Sequence, residues 1–191
     1  MKKTLVVVII TAMVLGVVAI AGCGGDANKD EAKQFMESGD AKMDTVITKW
    51  SGVEEQQAEL ATAALEGDYS EFTEESATAI ADEMESIQGT LDEAYADYLA
   101  ITGLDGVQDY RDYAGKMMEV IELWKKKVDN VGKLLASLTE AMIAAQGGAE
   151  VDLLTLMMES EEYADIQELD EQIDTLTEEA EQIKTDKKLA D

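Results

Sequence analysis

Residues 107–145 read VQDYRDYAGKMMEVIELWKKKVDNVGKLLASLTEAMIAA, and this stretch decides the fold. Val107, Tyr110, Ala114, Met117, Ile121, Trp124, Val128, Val131, Leu135, Leu138, Met142 and Ala145 follow one another at steps that alternate three and four without a miss. Side chains three and four apart share one face of an α-helix, and their strict alternation is the repeat of helices that pack as coiled coils. At about 1.5 Å per residue the helix is a rod of roughly 60 Å. An apolar stripe of that length must be covered along its whole length.

Working outward, the neighbouring segments carry the matching stripes. A helix from about Ser70 to Thr102 places Ala77, Ile80, Met84, Ile87, Leu91, Ala94, Tyr98 and Ile101 at the same steps. An earlier helix, about Asp30 to Glu66, does so with Met43, Val46, Trp50, Val53, Leu60 and Ala64. Gln57 is its polar interruption, read as a residue that fixes register. A last helix, about Val151 to Lys188, is clearest at Ile166, Leu169, Ile173, Leu176, Ala180 and Ile183. Its start, Leu153 to Met158, is apolar on more than one face. Gly67, Gly103 and Gly147-Gly148 mark the ends between helices, with a left-handed cap expected at Gly103. Asp68 with Glu71, and Asp105 with Gln108, resemble capping boxes. Lys184, Lys187 and Lys188 fall in the last turns, where the helix dipole favours positive charge.

Proline, which breaks helix interiors, is absent from the chain. Long amphipathic helices joined by short turns pack as antiparallel neighbours. The expected fold is therefore all-α: an elongated, antiparallel, up-down-up-down four-helix bundle, coiled-coil-like, with crossings of about +20°. The competing arrangement is a three-helix bundle whose first or last helix is left to pair with another chain.

The amino end reads as an address. Met1-Lys2-Lys3 precedes an apolar run from Leu5 to Ala21, short for a membrane span. The run closes on Ile20-Ala21-Gly22-Cys23, and Cys23 is the only cysteine. This resembles the lipobox of bacterial lipoproteins, with Ile20 where leucine is usual. The resemblance covers about the first 25 residues. It implies cleavage between Gly22 and Cys23, lipid on the Cys23 thiol, and enough acyl chains, palmitate among them, for stable anchoring. It divides the chain into a signal peptide (1–22), a lipidated cysteine and tether (23–29) and an acidic helical body (30–191). The implied location is a cell membrane, on its extracytoplasmic face. Gly24 stands where aspartate would retain some lipoproteins on an inner membrane.

The formal charge is −27, and no Lys or Arg occurs from Ser51 to Tyr110. Such a field repels nucleic acid and anionic headgroups and attracts cations and basic partners. Histidine is absent, and with it the commonest metal ligand and general base. Gly115-Lys116 and Gly132-Lys133 lie inside a helix without the further glycines of a phosphate loop. Neither catalysis, a cofactor nor a specific metal site is expected. Asp26, Asn28, Asp30 and Glu37 match four ligand positions of an EF-hand loop, but Glu31 replaces the glycine at its sharp turn. The groups Asp82-Glu83-Glu85, Asp92-Glu93 and Glu159-Glu161-Glu162 read as solvated faces with weak affinity for calcium or magnesium. Met117-Met118 and Met157-Met158 read as core filling, since adjacent helical residues diverge. Trp50 and Trp124 read as core anchors. Lys125-Lys126-Lys127 reads as pairing with an acidic neighbouring helix, with headgroups or wall polymers as the other reading.

Three functions fit. The first is a membrane-tethered, non-enzymatic interaction or structural module of the cell envelope, with an envelope protein or polymer as partner. The second is an acidic binder of divalent cations or cationic ligands. The third is a chaperone-like bundle with an apolar face, suggested by Leu153 to Met158. Self-association is compatible with each.

Overall fold

The helical expectation rests on periodicity, and the structure, a computed structural model, describes residues 25–66, 73–146 and 153–190. Cys23, Gly22, the signal peptide and the pair Asp68 with Glu71 lie outside the described residues. The described residues form five helices and no strand: α1 (Gly25–Glu66), α2 (Glu74–Thr102), α3 (Gln108–Gln146), α4 (Leu153–Met158) and α5 (Glu161–Asp186).

The stripes are the core. Met43, Val46, Trp50 and Val53 of α1 are buried, and the repeat extends back through Gly39, Met36 and Ala32. Ile80, Met84, Ile87, Leu91, Ala94, Tyr98 and Ile101 are buried on α2. On α3 the expected stripe is joined by a second one, Tyr113, Val120, Lys127 and Leu134, spaced by seven and also buried. Two buried stripes make α3 the central helix. It packs against α2 on one side and α5 on the other, while α1 lies along α2 and only sparsely against α3.

Contacts pair rising with falling residue numbers. Asp40 meets Tyr98 and Lys49 meets Ser86. The Tyr98 ring meets that of Tyr113 edge to face, and the Gln88 amide donates to the Lys125 carbonyl. Lys116 meets Glu179 and Lys127 meets Asp170. One feature departs from a symmetric bundle. Among the described residues no Cα of α1 comes within 8 Å of one of α5. Across that gap the Lys184 ammonium reaches the Asp40 carboxylate.

The expected last helix is two helices. Ser160 adopts an extended conformation (φ −74°, ψ 137°) and its hydroxyl accepts from the Tyr163 N–H at 3.1 Å. Glu161 and Glu162 follow in the first turn of α5, where the helix dipole favours acids. This start signal overrides the continuous apolar pattern read across it.

Other termini also differ from expectation. At α2 the reciprocal box is Thr73 with Ser76: the Thr73 hydroxyl accepts from the Ser76 N–H and the Ser76 hydroxyl from the Thr73 N–H. Gly103 is right-handed (φ −82°), and Gly106 supplies the left-handed turn instead (φ +79°). Gln108 does not reach back to Asp105; its amide donates forward to Asp112. After α5, Lys188 takes the left-handed conformation (φ 54°), the Leu189 N–H bonds to the Lys184 carbonyl and the Lys188 N–H to that of Thr185. That is a Schellman ending, and the burial of Leu189 holds it closed.

Candidate functional site

Two polar layers cross this apolar interior. The first is built on Asp40. Its Oδ1 accepts from the hydroxyls of Tyr98 (2.6 Å) and Tyr113 (2.7 Å), and its Oδ2 from the ammonium of Lys184 (2.6 Å). The four residues come from α1, α2, α3 and α5, so one carboxylate ties four helices. The tyrosine rings meet edge to face at 6.0 Å, and the Lys184 ammonium lies 5.5 Å from the Tyr113 ring centre.

Space for this layer comes from Gly39. A Cβ there would sit 2.7 Å from Cζ of Tyr98, so only glycine lets the ring lie across α1. Neighbouring pairs extend the layer: Lys42 bridges to Asp97, Lys187 to Asp109 (2.9 Å), and Asn28 donates to the Asp105 carbonyl (2.9 Å).

Burial sets the chemistry of the tyrosines. Loss of solvent raises the Tyr98 phenol far above its ordinary range, reinforced by Tyr113 and by the charge and hydrogen bond of Asp40. Tyr113 is raised by burial first and Asp40 second. Burial opposes the charge on Lys184, but the hydrogen bond and charge of Asp40 outweigh it, and its pKa is raised. Unfolded tyrosine ionises near about pH 10. Above that pH the unfolded chain releases protons that the folded chain keeps, so stability falls as pH rises. Tm is expected to be flat to about pH 9.5 and to fall steeply above pH 10. Phenolate absorbance measured alongside should show Tyr98 and Tyr113 ionising only as helicity is lost; ionisation of every tyrosine with helicity intact would refute the buried assignment.

The second layer lies farther along. Trp50 and Trp124 meet edge to face at 5.5 Å. The ammonium of Lys127 sits 4.5 Å from the Trp50 ring centre and 4.7 Å from that of Trp124, and bridges to Asp170 at 2.6 Å. Lys127 is the one buried charged residue among those described. Two indole faces and a carboxylate compensate the lost hydration of its ammonium. Trp50 also donates from Nε1 to Glu54 (2.6 Å).

The sequence-derived candidates are distributed as follows. Trp50 and Trp124 are core residues, as read. Lys125 and Lys127 pair with acids of neighbouring helices, Asp92 and Asp170, while Lys126 is exposed. Asn28, Asp30 and Glu37 lie on the continuous helix α1 rather than in a loop. Gln57 is half-buried. Met117 is buried and Met118 partly so, whereas Met158 is exposed. Among the described residues no three carboxylates converge on a point that would hold a cation. Asp40, Tyr113 and Lys184 were not legible as a unit, because α1, α3 and α5 are far apart in sequence. The one local signal is the Gly39-Asp40 step inside an otherwise helical pattern.

Searches against family models, curated proteins and solved structures return no match for this chain.

Proposed function

We propose that the chain is a membrane-tethered extracytoplasmic lipoprotein, and that its body is a non-enzymatic interaction or structural module of the envelope. The body is an antiparallel up-down-up-down bundle, held above the membrane by lipid on Cys23. The observation that carries the structural part of this reading is the use made of the unusual polar groups. Asp40, Tyr98, Tyr113, Lys184 and Lys127 are each engaged with one another or with core aromatics across different helices. Such ties fix helix register and keep a long rod in one arrangement. The tether rests on the lipobox-like Ile20-Ala21-Gly22-Cys23.

Labelling of cells with a palmitate analogue tests the tether. Label is expected on the wild-type chain and absent from Cys23→Ala, which should also leave the membrane fraction. Label that persists on Cys23→Ala would overturn lipidation there. Crosslinking in intact cells, with Cys23→Ala as control, tests the module. A reproducible partner captured only by the lipidated form supports it, and capture of bulk protein alone removes it.

A further inference from the structure

Charge and exposed apolar surface coincide at one end of the molecule. The pairing of helices places the start of α1 at one end, together with the α2–α3 turn and the tail of α5. The end of α1, the start of α2, the end of α3, α4 and the start of α5 gather at the other. That second end has no cation in its helices. No Lys or Arg occurs in residues 51–110, and none occurs from Leu134 to Ile183. Lys133, the last before that end, is paired with Asp129 at 2.7 Å. Glu59, Glu140, Glu159 and Glu161 are exposed there, and among the described residues none forms an ion pair.

The same end carries bare hydrocarbon. Five large hydrophobic side chains are conspicuously exposed among the described residues, and three belong to this end: Met158 (65% exposed), Ile143 (47%) and Leu156 (39%). Exposed apolar side chains grouped among charges mark interaction surfaces rather than a soluble coat. Methionine, flexible and polarizable, adapts to partners of differing shape. Charge then selects the partner. An anionic surface or nucleic acid is repelled by this end. A neutral apolar segment would strip water from the carboxylates without replacing it. A polypeptide segment with both apolar and basic side chains satisfies both.

We infer that this end, around Ile143, Leu156 and Met158, docks a cationic amphipathic polypeptide segment. The inference deepens the interaction-module reading and rests on it by naming the chemistry of the partner and the face that meets it.

The probe is a synthetic amphipathic helix of leucine and lysine, with polylysine and a leucine–glutamate helix as controls. Binding to the full-length protein in detergent is read by fluorescence anisotropy. The double variant Leu156→Ser/Met158→Ser is compared with Leu99→Ser, a change at an exposed leucine of the opposite end. All three sites are solvent-facing, and circular dichroism verifies that the variants fold. The leucine–lysine helix is expected to bind and the leucine–glutamate helix not. The double variant should weaken binding at least tenfold and Leu99→Ser by less than twofold. Equal binding by both variants, or equal affinity for polylysine, would overturn the inference, because an undirected acidic field would then suffice. In-cell crosslinking of the double variant separates the two readings. A partner still captured would leave the interaction module standing and remove this face from it.

Discussion

Asp40→Ala is expected to destabilise the protein by about 3 kcal/mol, the low end of the range for leaving a charge and its hydrogen-bonded partners uncompensated in a largely buried network. Three donors lose their acceptor at once: two phenol hydroxyls in the core and the Lys184 ammonium. The side chains of Asp40 and Lys184 are each only 22% exposed, so water reaches them poorly. Denaturant unfolding at pH 7 measures the loss. A substitution that removes the whole layer should behave differently. Asp40→Leu combined with Lys184→Met, Tyr98→Phe and Tyr113→Phe leaves nothing unsatisfied, and should recover most of the lost stability. Recovery of stability with loss of a single well-dispersed NMR spectrum would show that the layer specifies one arrangement rather than holding it up. A cost below about 1 kcal/mol for Asp40→Ala, the value of an exposed pair, would refute the buried tie.

Gly39→Ala is the second change with a large expected effect, and its sign is the informative part. Inside an exposed helix, glycine to alanine stabilises by about 1 kcal/mol. At Gly39 the added methyl would meet the Tyr98 ring at 2.7–3.0 Å. The ring cannot simply swing away, because its hydroxyl is held by Asp40 and its edge by Tyr113. Overpacking of this kind costs about 1–3 kcal/mol. The expected outcome is a net loss of about 2 kcal/mol, against a gain of up to about 1 kcal/mol at Gly89, whose Cβ position is open. Thermal melts of the two variants decide the matter. Stabilisation at both positions would mean that α1 and α2 lie farther apart than described.

Most of the helical organisation was legible because it is written in local spacing. The α3 repeat, the α2 repeat and the burial of both tryptophans follow from steps of three and four. Other features depend on distance in the chain or on competition between local signals. Lys184 lies in the last turn of its helix, as its position reads, but its ammonium also reaches Asp40, 144 residues earlier, which no local spacing foretells. Lys127 pairs with an acid of a neighbouring helix, as its run reads, and heptad spacing with Tyr113, Val120 and Leu134 also places it on a buried stripe. That second stripe could have been read from sequence. The break before α5 was lost because a strong apolar run masked Ser160-Glu161-Glu162. Gly103 reads as a left-handed helix end, but the left-handed residue is Gly106, three positions on. The candidate site itself was not legible: nothing local links Asp40 to tyrosines 58 and 73 positions away.

The contact between Trp50 and Trp124 also determines what light can report about this protein. Both indoles occupy one layer, 5.5 Å apart and nearly dry, and the chain has no other tryptophan. Intrinsic emission is therefore a single gauge fixed partway along the rod. It registers separation of α1 from α3 at that height and is blind to fraying at either tip. A fluorescence melt and a circular dichroism melt of the same sample are accordingly measurements of different segments. The interval between their midpoints measures how far the bundle opens from its ends before its middle gives way.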